Sequence, residues 1–124
     1  MSCTGRTHGL EREDRIRRKA DFDEAYADGV RIPSKSFMLI ARPAGRGHPR
    51  LGLTLPKSVG NAVVRNAVRR RVREAFRRNR NAGWPAVDMI IHVRPTAAAA
   101  RYADLEAELM QAIRRYADRQ GRSS

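Results

Sequence analysis

The residues whose types and spacing could do chemistry are concentrated at positions 60–80, where arginine is the most frequent side chain. A guanidinium group donates paired hydrogen bonds to phosphate or carboxylate oxygens. On a helix with 100° per residue, one line of polar side chains forms from Asn66, Arg70, Arg73 and Arg77. The flanking arginines are Arg65 and Arg69 on one edge, and Arg71 and Arg78 on the other. This spacing predicts a surface that binds a polyanion.

The sequence does not predict catalysis by the protein itself. It contains no pattern typical of a nucleophile with its base, and no cluster of carboxylates. The histidines are too scattered to indicate a metal site: His8, His48 and His92. We therefore predict no catalytic residue and no metal ligand.

The side of this helix opposite the arginines is apolar. Its stripe spans about 120° and consists of Val64, Val68, Val72, Ala75 and Phe76. Asn61 is a good N-cap residue, and the sequence "NAGWP" ends the helix after about Arg80. The segment is thus predicted to be a folded helix that buries its valines. The alternative to polyanion binding is a basic face that is simply solvated, with Glu74 as the only acid to offset repulsion.

Length and charge are consistent with a small nucleic-acid-binding domain. The chain has 124 residues, 26 Lys+Arg against 13 Asp+Glu, a formal net charge of +13 and 41% hydrophobic residues. A folded surface this positive most often meets nucleic acid, because neutralised phosphates release counterions. Acidic membranes are the competing partner. The single cysteine, Cys3, predicts no disulfide. No stretch resembles a membrane span or a signal peptide, so we expect a cytoplasmic protein.

The remaining pattern predicts helices that cover a sheet. A helix is predicted over 17–28, followed by strands at 35–41 and 50–55 that pair as an antiparallel hairpin, a strand at 87–95 and a helix at 97–118. Residues 1–14 are interpreted as a flexible leader and 119–124 as a flexible tail. The predicted fold is a single α+β domain over 15–118, a sandwich with a small mixed sheet.

The stretch "LGLTLPKSVGNAVVRNAVRRRVREAFR" resembles the signature region of the bacterial ribonuclease P protein component. The similarity extends from about 15 to 117 and includes "ADFDEAY", "SFMLIA" and "DMIIHVRP". The resemblance implies an αβββαβα domain with a left-handed βαβ crossover, against the usual right-handed preference.

The same resemblance implies a function in tRNA maturation. The protein would assist a catalytic RNA that removes the 5′ leader from precursor tRNA. The RNA and the substrate would hold the Mg²⁺, and neither a membrane nor an obligate protein partner is expected.

Matching motif positions imply a contact with the catalytic RNA through Lys57, Arg65, Asn66, Arg69, Arg70 and Arg73. For the substrate leader they imply Phe22 and Tyr26, one helical turn apart and able to stack on unpaired bases. The alternative for both rings is an ordinary core position. Arg94 ends a strand near this cleft, where it would contact RNA or be solvated.

Two positions depart from the family pattern, and one is Ser58, where many members have a second basic residue beside Lys57. Where the family has a second arginine in "R-N-R", this chain has Ala67. Arg71 lies one turn further along the same helical edge, so we hypothesise that it replaces part of the lost phosphate contact.

Two other classes of function remain open. One is a non-enzymatic RNA-binding module, such as a ribosome-associated basic protein. The other is a peripheral membrane protein attracted to acidic lipid. In the second case the valine stripe would face lipid, but those side chains are needed to cover the sheet.

Overall fold

The computed structural model describes residues 15, 16, 18–43, 48–80 and 84–123, so the predicted leader lies outside the described residues. Within them, the helices are α1 (Lys19–Asp28), α2 (Ala62–Asn79) and α3 (Tyr102–Ser123). The strands are β1 (Val30–Pro33), β2 (Phe37–Pro43), β3 (Arg50–Thr54) and β4 (Val87–Val93). Two 3₁₀ turns, Lys57–Val59 and Pro95–Ala99, precede α2 and α3.

The strands form one mixed sheet in the order β1-β2-β4-β3. β2 is antiparallel to both β1 and β4, whereas β3 and β4 are parallel, with Leu51 opposite Met89. The α2 helix therefore connects two neighbouring parallel strands. The predicted α+β class is confirmed, and the left-handedness of the crossover stays a prediction.

The predicted pairing of 35–41 with 50–55 as an antiparallel hairpin is wrong. β4 lies between β2 and β3, and Leu39 pairs with Ile91 rather than with a residue of β3. A turn-rich connector normally favours a hairpin. Here β4 separates the two strands because it pairs along its whole length with β2 and also pairs with β3.

Two further element predictions need correction. Strand β1 was not predicted from the pattern, since Ile32 is its one fully buried residue and Pro33 ends it. The last helix does not begin at Ala97. Ala100 is extended, and the backbone N–H of Arg101 donates to Asp104 Oδ2 at 3.2 Å, which fixes the start of α3. The backbone then stays helical to Ser123, beyond the predicted end at 118.

The core lies on both faces of the sheet. The larger cluster packs α2 and α3 against one face and includes Leu39, Ile91, Phe76 and Leu109. The smaller cluster lies beneath α1 and consists of Ile16, Ala25, Ile40 and Ile90, with Phe22, Tyr26 and Met38 packed against it. The side chains of β4 alternate between the two faces, because Met89 and Ile91 belong to the larger cluster and Ile90 belongs to the smaller one. α1 is therefore the helix that meets the second face.

Candidate nucleic-acid interface

The predicted cap and apolar stripe of α2 are confirmed. The side chain of Asn61 accepts a hydrogen bond from the Val64 backbone N–H at 3.0 Å. Gly60 has φ of +155°, a conformation that side-chain-bearing residues rarely adopt. Four residues of the stripe are buried: Val68, Val72, Ala75 and Phe76. This anchoring leaves Asn66 and Arg70 on the opposite side of α2 facing outward, whereas Arg69 and Arg73 are half-buried in a pocket beside Phe22 of α1.

Three of the predicted contact residues form the outward part of this surface. Asn66 and Arg70 are exposed on α2, and Lys57 is exposed in the 3₁₀ turn before it. Neither Lys57 nor Arg70 makes an ion pair with a residue in the described ranges. Their charges are therefore available to an anionic partner.

Other predicted arginines have partners within the protein. Arg77 forms a two-pronged ion pair with Glu74, with N···O distances of 3.1 and 2.6 Å, and this hydrogen bonding raises the pKa of Arg77. Arg65 Nε donates to the carbonyl of Gly60 at 3.2 Å. The charge of Arg77 is thus already offset, whereas that of Arg65 is not.

Arg71 is bound on the α3 side of the helix. Its Nη1 donates to the carbonyl of Ala100 at 3.2 Å. Arg78 lies on the same edge, with its guanidinium carbon 5.9 Å from the ring centre of Tyr102. The hypothesis that Arg71 compensates for Ala67 stays a prediction, and any such contact would have to coexist with the bond to Ala100.

Both predicted aromatics of α1 lie over the sheet and are half-buried, so each remains partly accessible. The hydroxyl of Tyr26 is 2.9 Å from Thr54 Oγ1 and 3.1 Å from His92 Nδ1, which ties α1 to β3 and β4. Phe22 packs over Gly52, where an added Cβ would lie 2.9 Å from the Phe22 ring. The rings are thus both packed and reachable, so a core role and a binding role can coexist.

Arg94 immediately follows β4 and is half-buried. Its backbone N–H donates to the carbonyl of Ser36 at 2.9 Å, while its guanidinium has no ion-pair partner among the residues with described side chains. Arg94 has the same strand parity as His92. This parity favours the face that α1 covers, and the contact of Arg94 with RNA stays a prediction.

A buried ion pair beneath α1 was missed in the sequence. Arg50 of β3 donates to Asp88 of β4 through Nε at 2.8 Å and Nη2 at 2.7 Å, and Asp21 of α1 lies 3.5 Å from the same Nη2. Hydrogen bonding to Asp88 raises the pKa of Arg50. The three residues join α1 to two strands and hold Phe22 and Tyr26 over the sheet.

The described residues contain neither a metal-binding cluster nor a membrane-spanning helix. That part of the chain has no group of three His, Cys, Asp or Glu residues placed to hold a metal ion. Its helices include none that is long and apolar enough to cross a membrane.

The sequence profile of the family described as Ribonuclease P matches residues 10–117. The chain belongs to the Ribonuclease P family. The ribonuclease P protein component of Thermobifida fusca (strain YX) is 35% identical over 124 residues, covering 93% of this chain and 84% of that protein. That of Syntrophus aciditrophicus (strain SB) is 34% identical over 100 residues, covering 81% and 84%.

Solved structures of Ribonuclease P family members have the same fold. The RNase P protein from Thermotoga maritima has a TM-score of 0.75 and 26% identity, covering 82% of this chain and 96% of that one. The RNase P protein of Staphylococcus aureus has a TM-score of 0.74 and 28% identity, covering 82% and 93%. The family resemblance and the α+β fold are thereby confirmed, whereas the roles of individual residues stay predictions.

The hydroxyl of Tyr26 supplies a test of how α1 is held. Tyr26→Phe should lower the free energy of unfolding by about 1 kcal/mol, because the hydrogen bonds to Thr54 and His92 are lost. Urea denaturation of Tyr26→Phe, Thr54→Val and the double variant would measure this effect. The double variant should lose less than the sum of the single losses, since both changes remove one shared bond. Strict additivity would show that the Tyr26–Thr54 bond does not stabilise the protein.

Proposed function

We propose that this chain is the protein subunit of a cytoplasmic ribonuclease P, which binds a catalytic RNA and the 5′ leader of precursor tRNA. The outward basic side of α2 carries this proposal. Among the described residues, neither Arg70 on α2 nor Lys57 in the turn before it has an ion-pair partner, and the other side of α2 is fixed in the core. Membership of the Ribonuclease P family makes a catalytic RNA the favoured polyanion.

The two RNAs are assigned to different surfaces of the protein. Asn66 and Arg70 on the outward side of α2, together with Lys57 in the preceding 3₁₀ turn, would contact phosphates of the catalytic RNA. The half-buried rings of Phe22 and Tyr26 would stack on unpaired bases of the leader, at about 1–3 kcal/mol per base. These assignments are supported by the exposure of the first set and by the partial exposure of the second.

The chemistry of phosphodiester cleavage is assigned to the RNA. Mg²⁺, held by the catalytic RNA and the substrate, would supply the metal chemistry of the reaction. Arginine and lysine cannot ligate this cation, and a net charge of +13 repels it. The protein would instead position the leader and reduce the repulsion between two polyanions, which lowers the Mg²⁺ concentration that the RNA requires.

A cleavage assay at low Mg²⁺ tests this function. Precursor tRNA is incubated with a bacterial ribonuclease P RNA, with and without the protein, and 5′ cleavage is followed. We expect accurate cleavage to rise clearly with the protein and to be absent with the protein alone. Arg70→Ala should weaken binding to the catalytic RNA and reduce the salt slope by about one.

Arg114→Ala is the matched control, because Arg114 is an exposed arginine on a different helix, α3. It should leave the salt slope nearly unchanged. RNA binding without any gain in cleavage would favour the non-enzymatic RNA-binding module. Cleavage by the protein alone would overturn the assignment of the chemistry to RNA.

A further inference from the structure

A small pocket lies where α1, β3 and α2 meet, beside Phe22, one of the two aromatic residues assigned to the leader. It has a volume of about 160 Å³, and its walls include Arg15, Phe22, Gly52, Arg69 and Arg73. We propose that this pocket binds one backbone phosphate of the precursor tRNA leader, with Arg15 as its central ligand. This inference rests on the proposed function, because it assumes that the leader binds at Phe22 and Tyr26 and then identifies where one of its phosphates would lie.

The pocket concentrates positive charge from distant parts of the sequence. Arg15 precedes α1, whereas Arg69 and Arg73 are one helical turn apart on α2. The described residues that line the pocket include three arginines and no carboxylate. Three like charges around one small volume repel each other, so this arrangement favours an anion between them.

The individual side chains support an anion site. Nε of Arg15 is buried and has no hydrogen-bond partner among the described residues, and leaving a buried donor unpaired is costly. Burial, followed by the charges of Arg15 and Arg69, lowers the pKa of Arg73. One donor of Arg69 is used by Asn66 Oδ1, which leaves other N–H groups of the fork available. A phosphate would accept from these donors and offset their mutual repulsion.

The apolar part of the pocket indicates which phosphate is bound. The ring of Phe22 packs against Gly52 in the same wall, so an aromatic surface adjoins the arginines. A base stacked on an aromatic ring with its phosphate against arginines is the pattern of single-stranded nucleic acid recognition. The leader of precursor tRNA is unpaired, so it fits this combination better than a helical part of the catalytic RNA does.

The first experiment removes the charge of Arg15. Arg15→Gln is assembled with the catalytic RNA, and binding of precursor tRNA and of mature tRNA is measured over a range of salt concentrations. We expect about a tenfold loss of affinity for precursor tRNA and a salt slope smaller by about one. Affinity for mature tRNA should not change. Arg18→Gln is the matched control, because Arg18 is an exposed arginine three positions away and outside the pocket.

The second experiment removes the charge from the leader and leaves the protein unaltered. Single methylphosphonate linkages, which are neutral, are placed one at a time along the leader. One position should reproduce the loss seen with Arg15→Gln, and combining that linkage with Arg15→Gln should cause little further loss. This arm does not depend on whether the variant folds as well as the wild type.

The outcomes separate the inference from the proposed function. If wild-type holoenzyme binds precursor and mature tRNA equally well, the assignment of the leader to this protein is wrong. If the leader strengthens binding but Arg15→Gln behaves like Arg18→Gln and no linkage is sensitive, the pocket inference alone is overturned. If Arg15→Gln weakens assembly with the catalytic RNA to the same degree that it weakens precursor binding, the pocket serves the catalytic RNA instead.

Discussion

Arg50→Met should lower the free energy of unfolding by about 3–5 kcal/mol, since it leaves a buried carboxylate without its partner. The side chains of Arg50 and Asp88 are only 9% and 6% exposed, and Asp21 is near the same guanidinium. Removing the arginine therefore leaves the carboxylates of Asp21 and Asp88 close together without the cation that they share. Denaturant unfolding at neutral pH measures the loss.

Two comparisons identify the buried pair as the cause. Glu24→Gln breaks the ion pair between Glu24 and Arg42. Because the Glu24 side chain is 61% exposed, this variant should lose far less stability than Arg50→Met. A double variant, Arg50→Met with Asp88→Leu, removes both buried charges and should recover part of the stability lost in Arg50→Met. If Arg50→Met and Glu24→Gln were equally stable, burial would not govern the strength of the Arg50 pair.

The ion pair also connects stability to the proposed leader site. Asp21 precedes Phe22 on α1, so the contact between Asp21 and Arg50 fixes the turn of helix that carries the ring. A protein that lost this contact would hold Phe22 less firmly over Gly52. The position of the proposed leader surface therefore depends on this buried charge cluster.

The helix that carries the basic surface could be predicted closely from the sequence. Helical spacing separates the buried Val68 and Phe76 from the exposed Arg70, and Asn61 marks the start. These signals are local, because they depend on residues within one or two turns of each other. The direction of Arg70 follows from the burial of the opposite side.

The sheet pairing could not be predicted in the same way. β3 and β4 are joined by a segment that contains the whole of α2, so their parallel pairing is a long-range contact. Nothing in that connecting segment indicates which strand β3 pairs with. The alternation of Leu51 and Leu53 predicts a strand but does not predict its neighbour. Only the resemblance to a known family supplied a third strand before α2.

The Arg15 pocket and the Arg50 pair were missed for the same physical reason. Their members come from separate elements, so their proximity depends on the sheet order. Gly52 was the available signal. A glycine inside a strand pattern often marks the close approach of another group, and here that group is the ring of Phe22. That signal predicts a contact but not which residue makes it.

Phe76→Ala should lower the free energy of unfolding by about 3–5 kcal/mol, because Phe76 is completely buried and packs edge-on against Trp84 with ring centres 5.7 Å apart. Val63→Ala is the control within the same helix. Val63 is 76% exposed, so its truncation should change stability by no more than about 0.5 kcal/mol. Denaturant unfolding of both variants measures the difference, and equal losses would mean that the apolar stripe does not anchor α2.

The same variant separates anchoring of the basic surface from direct contact with RNA. Phe76→Ala keeps every arginine, so its apparent affinity for the catalytic RNA should fall only by the fraction of protein that is unfolded. Its salt slope should equal that of the wild type, whereas Arg70→Ala should lose about one unit of slope. The catalytic RNA should also raise the melting temperature of Phe76→Ala, because it binds the folded state. A reduced salt slope in Phe76→Ala would instead mean that the folded variant makes fewer contacts with RNA phosphates, so that the core side of α2 affects the geometry of its basic side.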